Sequence, residues 1–96
     1  MPVAYLIVEM HVTDPESYKA YMAAAPAAVK AAGAEYLVRG GRSEALEGDW
    51  QPDRLVVLKF PSVEKARAFY HSTEYGKARA ARAGAAVMRM IVAQGT

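Results

Sequence analysis

The chain opens on a β pattern. Val3 to Val12 is β-branched, aromatic or apolar with its charges late, which predicts a strand. Thr13-Asp14-Pro15-Glu16 then signals a helix start. Asp14 can cap free N–H groups, Pro15 suits the first helical position, and Glu16 suits the positive end of the dipole. Tyr18, Met22 and Val29 fall near one helical face. Pro26 lacks an N–H and crowds the preceding turn, so a kink or break is expected there, with a second short helix running to about Ala32. Gly33 is placed to act as a left-handed C-cap.

Glu35 to Arg39 reads as a second strand, interrupted by Gly40-Gly41. Adjacent glycines in a strand mark a bulge or a close backbone approach. The pattern allows the strand to resume over Ser43 to Glu47, before a turn-rich Gly48 to Asp53. Arg54 to Phe60 is a third strand. Ser62 caps a helix whose apolar face is Val63, Ala66, Phe69 and Tyr70. Ser72 or Thr73 caps another, which Gly84 ends. Val87 to Ala93 is the last strand.

This order, βαββαβ, predicts an α+β ferredoxin-like domain over residues 1–96: a four-stranded antiparallel sheet with its helices on one face. Parity separates the two faces. Leu6, Val8, Met10, Val56, Leu58, Phe60, Met88, Met90 and Val92 are all apolar and should meet the helices. Tyr5, Ile7, Glu9, His11, Leu55, Val57, Lys59, Val87, Arg89 and Ile91 form the other face. That face is about half apolar, and a face left in water should be mainly polar. A second copy packed sheet to sheet is the expected cover, against the alternative of a monomer with scattered exposed apolar groups.

Composition narrows the classes. Ninety-six residues, 53% apolar, make one core. Twelve basic and ten acidic residues are too balanced for a nucleic-acid binder, and the basic run Lys77, Arg79, Arg82 reads as a solvated helix face. With no cysteine, thiol catalysis, disulfides and thiolate metal sites are excluded. The apolar run Val3 to Val8 is too short for a secretion signal, and nothing reaches membrane-span length, so a cytoplasmic protein without membrane contact is expected.

Several stretches together resemble a known family. They are Val12 to Tyr18, Leu37-Val38-Arg39-Gly40-Gly41, Leu46-Glu47-Gly48-Asp49-Trp50, Arg54 to Leu58, and Phe60-Pro61-Ser62 with Ala66, Tyr70, Ser72 and Glu74-Tyr75. Over nearly the whole chain they resemble domain-of-unknown-function family 1330, similar to a branch of the dimeric α+β barrels. The resemblance implies ferredoxin-like units paired through their sheets. The wider superfamily includes cofactor-independent monooxygenases, isomerases, dehalogenating and haem-handling enzymes, and non-catalytic modules. The family implies no particular catalytic residue.

The candidate chemistry is sparse. Arg39 and Arg54 can face each other across the hairpin and grip a carboxylate or enolate, with Glu47 orienting one of them. The competing reading is a hairpin salt bridge between Glu47 and an arginine. Glu9 and His11 share a strand face, and His11 is a candidate acid–base group. The competing reading pairs them with Lys59, Arg89 or the partner's copies. A metal site is not expected, since His71, the other histidine, lies on a predicted polar helix face. Tyr18, Tyr21, Tyr70 and Tyr75 can line a pocket between helices and sheet, although tyrosines at helical spacing are ordinarily core. Trp50, in a turn, can cap that pocket or pack on a partner subunit.

No dinucleotide, P-loop or nucleophile-elbow pattern is present, and Arg54 to Phe60 lacks the paired aromatics of RNA recognition modules. The sequence therefore points to a homodimer binding a small organic anion through Arg39, Glu47, Arg54, Tyr18, Tyr70 and Tyr75. Cofactor-free chemistry of oxidoreductase or isomerase type, with no bound cofactor, is one possibility. A non-catalytic ligand-binding or stress-related dimer and an interaction module without ligand are the others.

Overall fold

The computed structural model describes residues 2–96. The described residues form strands β1 (Ala4–Val12), β2 (Glu35–Arg39), β3 (Arg54–Phe60) and β4 (Ala86–Gln94), with helices α1 (Pro15–Ala31), α2 (Val63–Tyr70) and α3 (Thr73–Ala81). The sheet order is β2-β3-β1-β4, and each neighbouring pair is antiparallel. β1 is thus central. Its partners set Leu6 between Leu58 and Val92, and Val8 between Val56 and Met90. These positions face the helices, and β1 and β3 bury theirs. This is the ferredoxin-like α+β fold the parity predicts.

Local chemistry explains the element ends. Asp14 accepts the Ser17 N–H at 3.2 Å, with Pro15 opening α1. Ser62 and Ser72 cap α2 and α3 through the Lys65 and Tyr75 N–H groups, each at 3.1 Å. Gly33 adopts φ +71° after α1. Its N–H reaches the Lys30 carbonyl, and Ala34 reaches Val29, a Schellman closure.

Three expectations need correction. α1 runs unbroken through Pro26, so no second short helix forms. Proline costs the helix one hydrogen bond, but Tyr18, Tyr21, Ala25, Ala28 and Val29 bury a continuous stripe that outweighs it. Residues 43–47 do not resume the strand; the chain from Gly40 to Asp53 is a loop. The strand irregularity lies between Tyr36 and Val38, not at the glycines.

The core is aromatic on its helix side. Tyr18 stacks on Tyr21 at 5.2 Å, Phe60 meets Phe69 at 5.3 Å, and Phe69 meets Tyr75 at 4.5 Å. The opposite face carries no helix. Val87 and Ile91 there are 63% and 62% exposed, more than packed core residues would allow.

Candidate functional site

The irregularity in β2 builds one wall of a cavity. In a regular strand, side chains three apart point to opposite faces. Here Tyr36 pairs with Leu58 and Arg39 with Val56, both helix-facing positions. The extra residue, Leu37, turns Tyr36 and Arg39 to the same side. Arg39 lies over the Tyr36 ring at 4.7 Å. Arg54, beside Met10 in the β1–β3 register, completes the rim.

Both guanidinium groups border a cavity between α1 and the sheet. Tyr18, Tyr21, Tyr36 and Tyr75 line it, with Met10, Met22 and Val56. Its volume is about 40 Å³. That is room for a water or two, well under the several hundred Å³ of an ordinary metabolite site. Met22, on α1, is exposed at the rim, as is Arg39. An organic molecule larger than a water or two has to displace lining side chains, and Met22 and Arg39 are the exposed ones among them.

Gly40 fixes Arg54. Its φ is +72°, and its N–H donates to the Leu55 carbonyl at 2.9 Å. A Cβ there would lie 2.6 Å from Arg54 Cζ, the end of a flexible side chain, so a substitution displaces the guanidinium while the positive φ strains the backbone. Gly41 has open space around it and no positive φ.

The tyrosines are hydrogen-bonded inside the cavity wall. Tyr21 and Tyr75 share a buried O–H···O bond at 2.8 Å, and Tyr18 donates to Met10 Sδ at 2.7 Å. Burial pushes the Tyr21 phenol well above its ordinary value, and Tyr75 adds to the shift. Burial also raises Tyr18 and Tyr36, opposed by Arg54 and Arg39 respectively. These phenols are therefore donors at neutral pH and poor bases.

The remaining candidates lie elsewhere. His11 is on the helix-free face and pairs through Nδ1 with Asp53. Glu9 binds Arg89, its direct cross-strand neighbour, at 2.5 Å, and accepts the Trp50 indole N–H at 2.6 Å. The Trp50 hydrogen bond and then the Arg89 one hold the Glu9 carboxyl below its usual range. Glu47 is exposed and forms no ion pair among the described residues; in that loop Arg42 pairs with Glu44 at 3.6 Å. Tyr70 faces a different groove, beside α2 and β4, and Trp50 caps the sheet face instead of the cavity. The reading of Arg79 and Arg82 as a solvated face also fails: both are half-buried, Arg79 over Tyr70 at 4.6 Å and Arg82 over Tyr21 at 5.7 Å. No cluster of three His, Cys, Asp or Glu fit for a metal ion occurs among the described residues.

Tyr36 and Met22 line the cavity and are not among the ligand-binding candidates read from the sequence. An aromatic residue in the strand Glu35–Arg39 is the signal for Tyr36, and it gains meaning only with the bulge at Leu37.

Residues 3–96 match Domain of unknown function (DUF1330), and the chain belongs to that family. No curated protein matches it. Among solved structures it is similar to a protein of unknown function from Rhodopseudomonas palustris, with TM-score 0.74 and 20% identity, covering 99% of this chain and 83% of that one. It is also similar to SnoaB, a cofactor-independent oxygenase from Streptomyces nogalater, with TM-score 0.62 and 10% identity over 100% and 95% of the two chains. A dimeric ferredoxin-like protein from Thermobifida fusca has TM-score 0.54 and 14% identity over 96% and 92%. At these identities the likeness shows a shared fold.

Proposed function

We propose that this member of the family is a homodimer that binds a small organic anion with an aromatic or apolar body in the cavity under α1. One observation carries the reading: Arg39 and Arg54 both line a tyrosine-lined cavity, and neither has a carboxylate partner among the described residues. Two unpaired guanidinium groups suit a carboxylate or enolate. The Tyr21–Tyr75 pair, one hydroxyl already donated to the other, leaves one hydroxyl donor in the cavity wall.

Binding is favoured over proton-transfer chemistry. The cavity lining contains no carboxylate and no histidine, and His11 is on the opposite sheet face. A reaction in this cavity therefore has to begin from a ligand that arrives already ionised. SnoaB, of like fold, is an oxygenase without cofactor. Here such chemistry would rest on the substrate's own anion, held by the arginines.

The test is calorimetric titration of dialysed protein with a panel of aromatic carboxylates and their neutral amides. The carboxylates should bind, and Arg39→Gln or Arg54→Gln should weaken them about tenfold, the loss of one charge-assisted pair. Equal binding of the amides, or arginine variants that bind as the parent does, would sink the reading.

A further inference from the structure

A second groove lies on the far side of the α2–α3 corner, against the edge strand β4. Its volume is about 510 Å³, within the range of small-molecule sites. The floor is apolar: Leu6, Ala66, Met88, Met90 and Val92. The rim is basic and aromatic: Arg67, Arg82, His71 and Tyr70, with Arg79 stacked on Tyr70. No carboxylate lines it.

The charges of this rim are uncompensated. The ion pairs among the described residues are Glu16–Lys19, Arg42–Glu44 and Glu9–Arg89, and His11 contacts Asp53. Arg67, Arg79 and Arg82 belong to none of them. The Nε atoms of Arg79 and Arg82 are buried and have no acceptor. Buried polar groups are nearly always satisfied, and exceptions call for an explanation. The rings of Tyr70 and Tyr21 attract the guanidinium charges but give their N–H groups no oxygen. Arg82 is half-buried beside exposed Arg67 and His71, so an anion in the groove meets guanidinium groups that no carboxylate of the chain already holds.

We propose that this groove is a second binding site, for an amphiphilic organic anion: a carboxylate or phosphate monoester whose apolar chain lies on Met88 and Met90. The head meets Arg67 and Arg82, with His71 beside them. It is separate from the cavity under α1, whose methionines are Met10 and Met22. The two sites therefore carry different reporters.

The experiment is an NMR titration of the intact protein labelled at the methionine methyls. Octanoate and octyl phosphate are the two anionic probes. Octanol supplies the chain alone, and inorganic phosphate the charge alone. The expected result is saturable shifting of the Met88 and Met90 methyls by at least one anionic amphiphile, at least fivefold weaker with octanol or inorganic phosphate. Whichever of the two binds more tightly identifies the head group. Arg67→Gln, at an exposed position, should weaken that binding about tenfold and leave the fold intact. Arg39→Gln should leave it unchanged, which separates this site from the cavity. The proposal is overturned if Met88 and Met90 stay still at millimolar probe, if octanol matches the anions, or if only Met10 and Met22 respond. Shifts that follow protein concentration and ignore the probes would give the groove to a second copy of the chain, and would also overturn it.

Discussion

Gly40 and Arg54 form a unit that neither residue explains alone. Gly40 holds φ +72°, where an L side chain costs about 1–2 kcal/mol. It also leaves the space in which the Arg54 guanidinium lies. Gly40→Ala therefore has two consequences, backbone strain and a displaced arginine. It should lower the unfolding free energy by about 1–2 kcal/mol in urea and weaken anion binding in the cavity. Gly41→Ala is the internal control. With no positive φ and nothing within 4 Å, it should be neutral or slightly stabilising. If the two variants behave alike, the role given to Gly40 is wrong. The sequence shows two adjacent glycines and a nearby arginine, and a close backbone approach was one of its readings. Which glycine matters was not legible, because that depends on where the register slips. A slip at Leu37 leaves the glycine pair outside the bulge and turns Arg39 toward the cavity.

The loop from Gly40 to Asp53 sits across the helix-free face at two points, Trp50 on Glu9 and Asp53 on His11. Both anchors come from β1, beyond β3, the loop's own neighbour in the sheet. Such long-range pairs are invisible to periodicity, which reads neighbours along the chain and not across it. Elements with strong local signals were legible instead. The three capped helix starts and the four strands agree with their expected positions within a residue or two. The unbroken α1 was not, because tertiary burial overrode the propensity of Pro26. The Glu9 anchor carries a pH dependence of definite sign. Its carboxyl is depressed in the folded protein, so its stabilising share is complete above the ordinary value of 4.5 and is lost as pH falls through the lower folded value. Protonation removes the charge that accepts the indole N–H. Trp50 is the sole tryptophan, so its emission reports the event directly. Its fluorescence should hold steady from neutrality to about pH 4.5 and change below it, before the far-ultraviolet dichroism is lost. Glu9→Gln should show the low-pH spectrum already at pH 7. A pH-independent Trp50 signal in a folded protein would contradict the anchor.

As a whole the molecule is a slab, 38 × 36 × 16 Å. That thinness is one sheet and one helix layer, with only the loop from Gly40 to Asp53 reaching over the other side, at Trp50 and Asp53. The helix-free face presents Val87, Ile91 and Ile7, and the loop adds Trp50 at 54% exposure. Its polar groups are largely satisfied within one chain, since Glu9 holds both Arg89 and Trp50. Lys59, on the same face, holds no ion pair among the described residues, so its ammonium has to reach solvent or a partner's carboxylate when the face is covered. Strands of this length and number cover about 500 Å² of flat sheet. With the pleat and the loop, this approaches the roughly 800 Å² per partner of a stable interface. The wet alternative leaves Val87 and Ile91 in solvent, a continuing cost of about 25 cal/mol for each Å² of apolar surface. Pairing of two such faces would remove that cost, and in the proposed homodimer a two-fold axis would set the patch against its own copy. Val87→Glu with Ile91→Glu tests it. In a monomer both positions are exposed, so the double variant should fold with an unchanged dichroism spectrum. In the dimer it buries four unpaired carboxylates, two from each chain. Sedimentation at about 10 µM, in the range where an ordinary specific dimer is formed, should give a dimer for the parent and a monomer for the variant. A parent that sediments as a monomer, or a folded variant that remains dimeric, would mean that the sheet face is not the interface.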